Sequence, residues 1–320
     1  MSFPSRSRER VKPENFLEYM TMTEPITDQR NFKISREEIM STGHLACPGC
    51  GASLIMRHAL KALGRNTIMT IPACCWAVID GPFPYSTVGI PLLHVAFETT
   101  AISAAGIRAG LDAQGKKDIT VVGWAGDGAT FDIGFGAVSA SAERNDNFIY
   151  VCYDNEAYMN TGIQRSSATP RGAWTTTTPT NYPKEEPKKN LIGIMAEHRI
   201  PYAATATIAY PDDLLRKFEK AKAIEGFRLL HIFSPCPPGH KSTEANSVKI
   251  SRLAVQTRIF PLYEVENGKT FRITENPNPL PLDEYLKLQG RFKHLSVEDR
   301  MRMQKSVDDE WEILLRKTEN

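Results

Sequence analysis

The chain has 320 residues, 41% of them apolar, enough to bury one large α/β core. Its formal net charge of +2 is too near zero to argue for a nucleic-acid partner, and no apolar run approaches the length of a membrane-spanning helix. The start is Ser/Arg/Glu-rich with no apolar signal-peptide segment, so a cytoplasmic chain is expected.

In chain order, residues 1–40 are polar, with prolines at 4, 13 and 25, and read as an extended arm that orders against another subunit. A core is expected over 41–255. It opens with the Cys47-Pro-Gly-Cys50 turn, then a helix near 53–63, a strand near 66–72, an irregular loop through Pro91 and a helix near 95–113. The β-rich run 118–125 ends in Gly126-Asp127-Gly128. A helical pattern over 133–144 follows, then a second apolar run, 147–153, ending at Asp154-Asn155. This is a β-α-β unit, parallel by the crossover rule. Beyond a long loop, 155–187, come a helix near 188–198, a strand near 203–209, a helix near 211–224 and a strand over 227–233 leading to Cys236. Residues 256–320 read as an extension: a short β pair (260–265 and 269–273), a Pro-rich turn at 277–282 and two closing helices. No internal repeat is visible.

Two features carry chemistry. Asp127 and Asn155 each follow a probable strand, where ligands of parallel sheets gather, and both offer hard oxygen of the kind Mg²⁺ prefers. Gly126 and Gly128 let backbone approach phosphate closely, and a helix opening after the turn favours an anion. Alone, the triplet is equally a tight turn with an acidic residue at its centre. A nucleotide-binding Rossmann module would also supply strand, turn and helix, but no Gly-x-Gly-x-x-Gly opens the helix.

The second feature is six cysteines: Cys47, Cys50, Cys74, Cys75, Cys152 and Cys236. A disulfide framework does not suit a chain of this kind, so Cys47-Pro-Gly-Cys50 points to metal or redox chemistry. A redox dithiol leaves the other cysteines unexplained. A zinc site, in a scaffold subunit without redox role, would most often bring a second Cys-x-x-Cys, and none exists. An iron–sulfur cluster needs four thiolates, and Cys236-Pro-Pro has the proline that often follows a last ligand. All three readings stay open on spacing alone.

The segments Gly43-His-Leu-Ala-Cys-Pro-Gly-Cys-Gly-Ala52, Phe83-Pro-Tyr-Ser86, Pro91-Leu-Leu-His94 and Tyr153-Asp-Asn-Glu-Ala-Tyr-Met-Asn-Thr-Gly162 resemble, in order, the β subunit of the 2-oxoacid:ferredoxin oxidoreductases. The resemblance covers about 41–255. It implies a thiamine-diphosphate-binding fold, α/β with a mostly parallel sheet flanked by helices. It implies Mg²⁺ held by the Asp127 and Asn155 side chains and the Ala157 carbonyl, Asn160 near the thiazolium and substrate as the catalytic residue, Thr161 and Gly162 shaping the loop, and His44 near cofactor phosphate or cluster. It implies one [4Fe-4S] cluster on Cys47, Cys50, Cys236 and one of Cys74/Cys75; counting back from Phe83-Pro-Tyr85 favours Cys75.

The implied reaction is oxidative decarboxylation of a 2-oxoacid, pyruvate first and phenylglyoxylate or a branched acid as alternatives, with coenzyme A taking the acyl group and ferredoxin the electrons. The activating Glu and the pyrimidine-binding domain would come from an α subunit, since nothing in the chain resembles them. Onward wiring would lie in γ and ferredoxin-like δ subunits. The cluster turn and the Asp127/Asn155 site are expected to converge.

Several residues have blander readings. His94 and Glu98 could share one helical face as an acid–base pair, but Glu98 in the first turn of the 95–113 helix, with His94 packed before it, is the simpler expectation. Trp76 could shield the cluster or sit in the core, and Cys152 is a small buried hydrophobe. His58, His198, His231, His240 and His294 are scattered without metal-ligand spacing. The first half of the 155–187 loop, with Gln164, Arg165 and Ser166, reads as a lid over the cofactor. The Thr175–Thr178 run and the mixed-sign run 183–189 read as insertion and solvated loop.

Overall fold

The apolar run 147–153 becomes the strand Phe148–Asp154, every residue of which is buried. Its side chains alternate between two cores: Ile149, Val151 and Tyr153 on one sheet face, Phe148, Tyr150 and Cys152 on the other. A strand buried on both faces has no polar side to show, hence the unbroken apolar run.

A computed structural model describes residues 26–27 and 33–319. Ile26–Thr27 (β1) and Lys33–Ile34 (β2) pair antiparallel. The expected arm, 1–40, otherwise lies largely outside the described residues. From Ile39 onward the chain forms one unit around an eight-stranded sheet. Its strands are Thr67–Pro72 (β3), Leu92–Val95 (β4), Thr120–Gly126 (β5), Phe148–Asp154 (β6), Tyr202–Thr207 (β7), Phe227–Phe233 (β8), Leu262–Glu266 (β9) and Thr270–Glu275 (β10). The order is β10-β9-β7-β8-β6-β5-β3-β4. The six strands from β7 to β4 are mutually parallel, and β9 and β10 close one end antiparallel.

On one face lie Gly51–Leu63 (α1) and Pro211–Ala223 (α6). α1 buries Ile55, Met56, Ala59, Leu60 and Leu63, a stripe at helical spacing. α6 opens with Pro211, Asp212 and Asp213 and closes with Lys220 and Lys222, so its charges complement the helix dipole. On the other face lie Thr100–Ala113 (α3), Phe135–Glu143 (α4), Leu191–Glu197 (α5) and Val297–Thr318 (α10). A third core gathers Phe233, Phe260, Tyr285 and Met303 near the C-terminal end. Among the described residues no helix is long and apolar enough to cross a membrane.

The structure departs from the sequence reading at several points. Residues 92–95, expected as the end of a loop and the start of a helix, form the edge strand β4; short and half-exposed, it lacks a legible apolar alternation. The following helix starts at Thr100, so Glu98 stands in the turn before it and His94 on β4, not on one helical face. Asp80 is the group beside His94, with 3.5 Å between His94 Nε2 and Asp80 Oδ2. Three helices were not foreseen: Cys75–Ile79 (α2), Pro237–His240 (α7) and Ser247–Gln256 (α8). A π-helical turn, Gly128–Ile133, precedes α4 and packs directly behind Asp127. The loop 155–187 is no loose insertion, for Thr175, Thr178 and Lys184 are buried.

Candidate active site

Because β3, β5, β6 and β8 run parallel and adjacent, their carboxyl ends share one edge of the sheet. The residues that follow those ends are the Cys74-Cys75 pair, Asp127, Asn155 and Cys236 respectively. Such an edge is where open α/β sheets bind ligands.

Asp127 is 1% exposed and Asn155 6%. Asn155 Oδ1 stands 2.9 Å from both Asp127 Oδ1 and the Ala157 carbonyl oxygen, facing only acceptors; turning the amide over would let its nitrogen donate to both. An Asn155 oxygen at that spacing from two other oxygens fits a cation, since neighbouring ligands of an octahedron with bonds of about 2.05 Å lie ~2.9 Å apart. Burial, then the charge of Asp154, pushes the Asp127 carboxyl well above its usual range, against a hydrogen bond from Ser166 Oγ to Oδ2. A bound cation would reverse that bias. Gly128 must lack a side chain here, because a Cβ would lie 2.6 Å from the Tyr158 ring.

The turn 154–157 is held from outside the pair. Glu156 has φ +67°, rare for a residue with a side chain, and its N–H donates to Asp154 Oδ1 at 2.9 Å. Ser234 N donates to Asp154 O, His240 Nε2 to Asn155 O at 3.1 Å and Thr169 Oγ1 to Glu156 O at 2.7 Å. Burial, then the nearby Arg291, keeps His240 neutral by lowering its pKa far below the usual value, and the Nε2–H tautomer is the one that can serve a carbonyl. Lys188 Nζ bridges Asp154 Oδ2 at 2.5 Å and Glu156 Oε1 at 3.0 Å, while Arg291 reaches Glu156 Oε2 and His231 Nε2 reaches Asp154 Oδ2 at 2.7 Å. Burial alone would raise the Asp154 carboxyl, but Lys188 and His231 hold it at about 2. Burial lowers His231, and the two carboxylates raise Lys188 despite its burial.

The cysteine segments meet beside this turn. Gly51 N donates to Pro235 O at 3.0 Å, and a Cβ on Gly51 would lie 2.9 Å from Pro235 N, so the backbones of the Cys47–Cys50 turn and the Cys236 segment touch. All six cysteines are free thiols. Burial pushes the Cys236 thiol up to about 11, with Cys50 and Cys47 adding to it. Burial raises Cys75 further, joined by Cys74, Cys236, Cys50 and Asp127, so Cys75 lies within electrostatic reach of both groups. Cys50 is raised by burial and by Cys47. Cys47 is exposed and Cys50, Cys75 and Cys236 half-buried, and thiols close enough to raise one another are a donor set suited to positive iron. Cys74 instead points into the core beside Tyr153, whose hydroxyl hydrogen-bonds it. Among the described residues, no three His, Cys, Asp or Glu side chains gather as one metal ion would need. A four-iron cube spreads its thiolates over separate corners.

Other expected residues lie further out. Asn160 and Thr161 are exposed at the tip of a hairpin closed by Tyr158 N donating to Gln164 O at 2.9 Å, with Gly162 at φ +113°. Ser166, at the end of that hairpin, touches Asp127. His44 Nδ1 accepts from Ala46 N at 3.3 Å and so holds its own turn before Cys47. Trp76 is fully buried against Trp124, and Cys152 is likewise in the core.

The sequence reading missed Lys188, Arg291, His231 and His240. The run 183–189 is a loop exposed at Pro183, Glu185, Glu186 and Pro187, but Lys184 is 3% exposed and donates to Pro187 O, and Lys188 is the bridge described above. The available signal was an acidic Asp154-Asn-Glu156 turn that needed buried cations.

Residues 84–232 match the family described as "Thiamine pyrophosphate enzyme, C-terminal TPP binding domain". The chain is 52% identical over 303 residues to ketoisovalerate oxidoreductase subunit VorB of Pyrococcus furiosus, covering 92% of this chain and 97% of that one. It is 48% identical to pyruvate synthase subunit PorB of Methanothermobacter thermautotrophicus (86% and 97% covered). It is 41% identical to PorB of Pyrococcus furiosus (88% and 95%). The fold is similar to that of a 2-oxoglutarate:ferredoxin oxidoreductase from Magnetococcus marinus solved with 2-oxoglutarate, coenzyme A and succinyl-CoA, with TM-score 0.55 and 24% identity over 67% of this chain and 79% of that one. Strand-end geometry and relatedness agree: the chain belongs to the β subunits of the thiamine-diphosphate-dependent 2-oxoacid:ferredoxin oxidoreductases, enzymes of more than one subunit.

Proposed function

We propose that this chain, in a cytoplasmic complex, binds Mg²⁺ and thiamine diphosphate through Asp127, Asn155 and the Ala157 carbonyl, and a [4Fe-4S] cluster through Cys47, Cys50, Cys75 and Cys236. The observation that carries the reading is the approach of the Asn155 oxygen to those of Asp127 and Ala157, 2.9 Å in each case. Thiamine diphosphate, when bound, supplies the carbanion chemistry by which a 2-oxoacid loses CO₂. Asp127 supplies the negative charge of the site, and Ser166 and the 154–157 turn fix the direction of its ligand oxygens. Gly126 and Gly128 keep the turn open for diphosphate, and Asn160 and Thr161 face the substrate side from the hairpin tip. His44 shapes the approach to Cys47.

Cys47, Cys50, Cys75 and Cys236 would hold a cluster that would supply one-electron transfer toward ferredoxin, with coenzyme A as the acyl acceptor. An α subunit adds the pyrimidine-binding domain and activating Glu, with γ and δ subunits carrying electrons onward. Residues 41–255 carry the cofactor motifs, and 256–320 belong to the same unit, adding β9, β10 and α10 to its sheet and core.

For the substrate we infer a short aliphatic 2-oxoacid. Within Pyrococcus furiosus, the ketoisovalerate subunit is the nearer of the two relatives named, 52% against 41%, which favours a branched acid beside pyruvate and ahead of phenylglyoxylate.

Anaerobically purified complex tests the reading: about four irons and one thiamine per β chain, and reduction of ferredoxin that needs both a 2-oxoacid and coenzyme A. Asp127→Ala should abolish thiamine binding and leave iron in place. Retained thiamine would remove Asp127 from the site. A substrate panel of 2-oxoisovalerate, pyruvate and phenylglyoxylate ranks kcat/KM directly.

A further inference from the structure

A cavity of about 240 Å³ lies between α10, the β7–β9 end of the sheet and the start of α5. An apolar cavity of ~150 Å³ already takes benzene, so this one has room for a phenyl or branched aliphatic group with a polar head. Its walls are largely apolar, with Ile259, Phe260, Tyr263, Val307, Trp311 and Leu314 prominent. Its cations are unequal. Lys188 is committed to Asp154 and Glu156, Lys189 donates to Phe131 O, Arg171 is exposed with its Nε donating to Glu185 O, and Lys317 is exposed over the Phe271 ring.

Arg258 differs. Its guanidinium stacks 4.3 Å from the Trp311 ring centroid, and its Nε is buried with no hydrogen-bond partner among the described residues. A buried, unpaired guanidinium N–H is costly, and the cost disappears when an anion accepts from it. Arg258 also has φ +63° just beyond α8, a position usually given to glycine. A long cationic side chain is kept there against backbone strain. The exposed Glu310 shares the rim, which disfavours a multiply charged anion.

We propose that this cavity is a second ligand site, apart from the strand-end site, for a small amphipathic monocarboxylate. The carboxylate pairs with Arg258, and the apolar body lies against Trp311 and Phe260. The inner wall includes Lys188 and His231, which hold Asp154, so the ligand sits behind the cofactor turn rather than in it.

The test is anaerobic calorimetric titration of the whole hetero-oligomer with 3-phenylpropionate and with its uncharged match, 3-phenylpropan-1-ol. One saturable site per β chain is expected, with the alcohol bound about tenfold more weakly. Arg258→Gln should lose that tenfold for the carboxylate and leave the alcohol unchanged, and Arg258→Lys should stay within about threefold of the native value. Ser306→Trp, at the exposed rim, should block both probes and keeps the test open if the Arg258 variants do not assemble. Saturating 2-oxoisovalerate or pyruvate should not displace the probe. Absence of saturable binding, equal affinity for acid and alcohol, an unaffected Arg258→Gln or Ser306→Trp complex, or displacement by the 2-oxoacids would each overturn the proposal.

Discussion

Arg291 Nη2 lies 2.5 Å from Glu156 Oε2, although 135 residues separate them in the chain. Through this pair a short 3₁₀ turn near the C-terminus, Gly290–Phe292, grips the turn that aims Asn155 and Ala157. Arg291→Met leaves a buried carboxylate with Lys188 alone, and removing one partner of a buried pair costs about 3–5 kcal/mol. Chemical denaturation of the β chain should show that loss, and Mg²⁺-dependent thiamine binding should weaken with it. The double change Arg291→Met with Glu156→Gln should cost less than the sum of the single changes.

Cys75→Ser should lower the iron content well below the roughly four per chain of a full cluster. Cys74→Ser should keep its iron and cost only ~1 kcal/mol of stability, because Cys74 faces Tyr153 in the core. Iron analysis and visible absorption of the two variants decide it, and the reverse pattern would move the ligand to Cys74.

Gly128→Ala places a methyl 2.6 Å from the Tyr158 ring, which donates its hydroxyl to Asp132 at 3.0 Å. The ring must move, at about 1–3 kcal/mol, and the 158–164 hairpin moves with it. Limited proteolysis should cut the variant within that hairpin sooner than the native chain. Identical digestion rates would show that the ring adapts in place.

Glu264 is a pH-dependent fastener for the C-terminal strands. Burial would raise its carboxyl, but Arg272, Lys220 and the Tyr202 hydroxyl hold it at about 2. Since an unfolded glutamate titrates near ~4.3, the linked stability is present above that value and fades as pH falls toward 2. Glu264→Gln should be less stable by roughly 1–3 kcal/mol at pH 7, and the gap should close between pH 5 and 2. Denaturation midpoints at three pH values measure this directly.

The sheet centre was legible because a strand buried on both faces has to be apolar throughout, as at Phe148–Asp154 and Phe227–Phe233. Asn155 and Cys236, which follow those strands, and Asp127, which follows Thr120–Gly126, were legible too, since they mark strand ends without reference to distant partners. Edge strand β4 was not: with Leu93 and His94 exposed it has no buried stripe to read. Lys188 was hidden for a different reason. A lysine among prolines and glutamates looks solvated, and only the three-dimensional return of Asp154 and Glu156 gives it buried work. The Arg258 strain and its cavity are likewise properties of packing, with no periodicity to announce them.

Glu156 stands at a dihedral angle that most side-chain-bearing residues avoid, and the guanidinium that steadies it is supplied from the far end of the polypeptide. The final sixty or so residues are therefore a buttress for the 154–157 turn as well as a cover for the sheet. A gene fusion or truncation that removes Arg291 would take from that turn the guanidinium that meets Glu156.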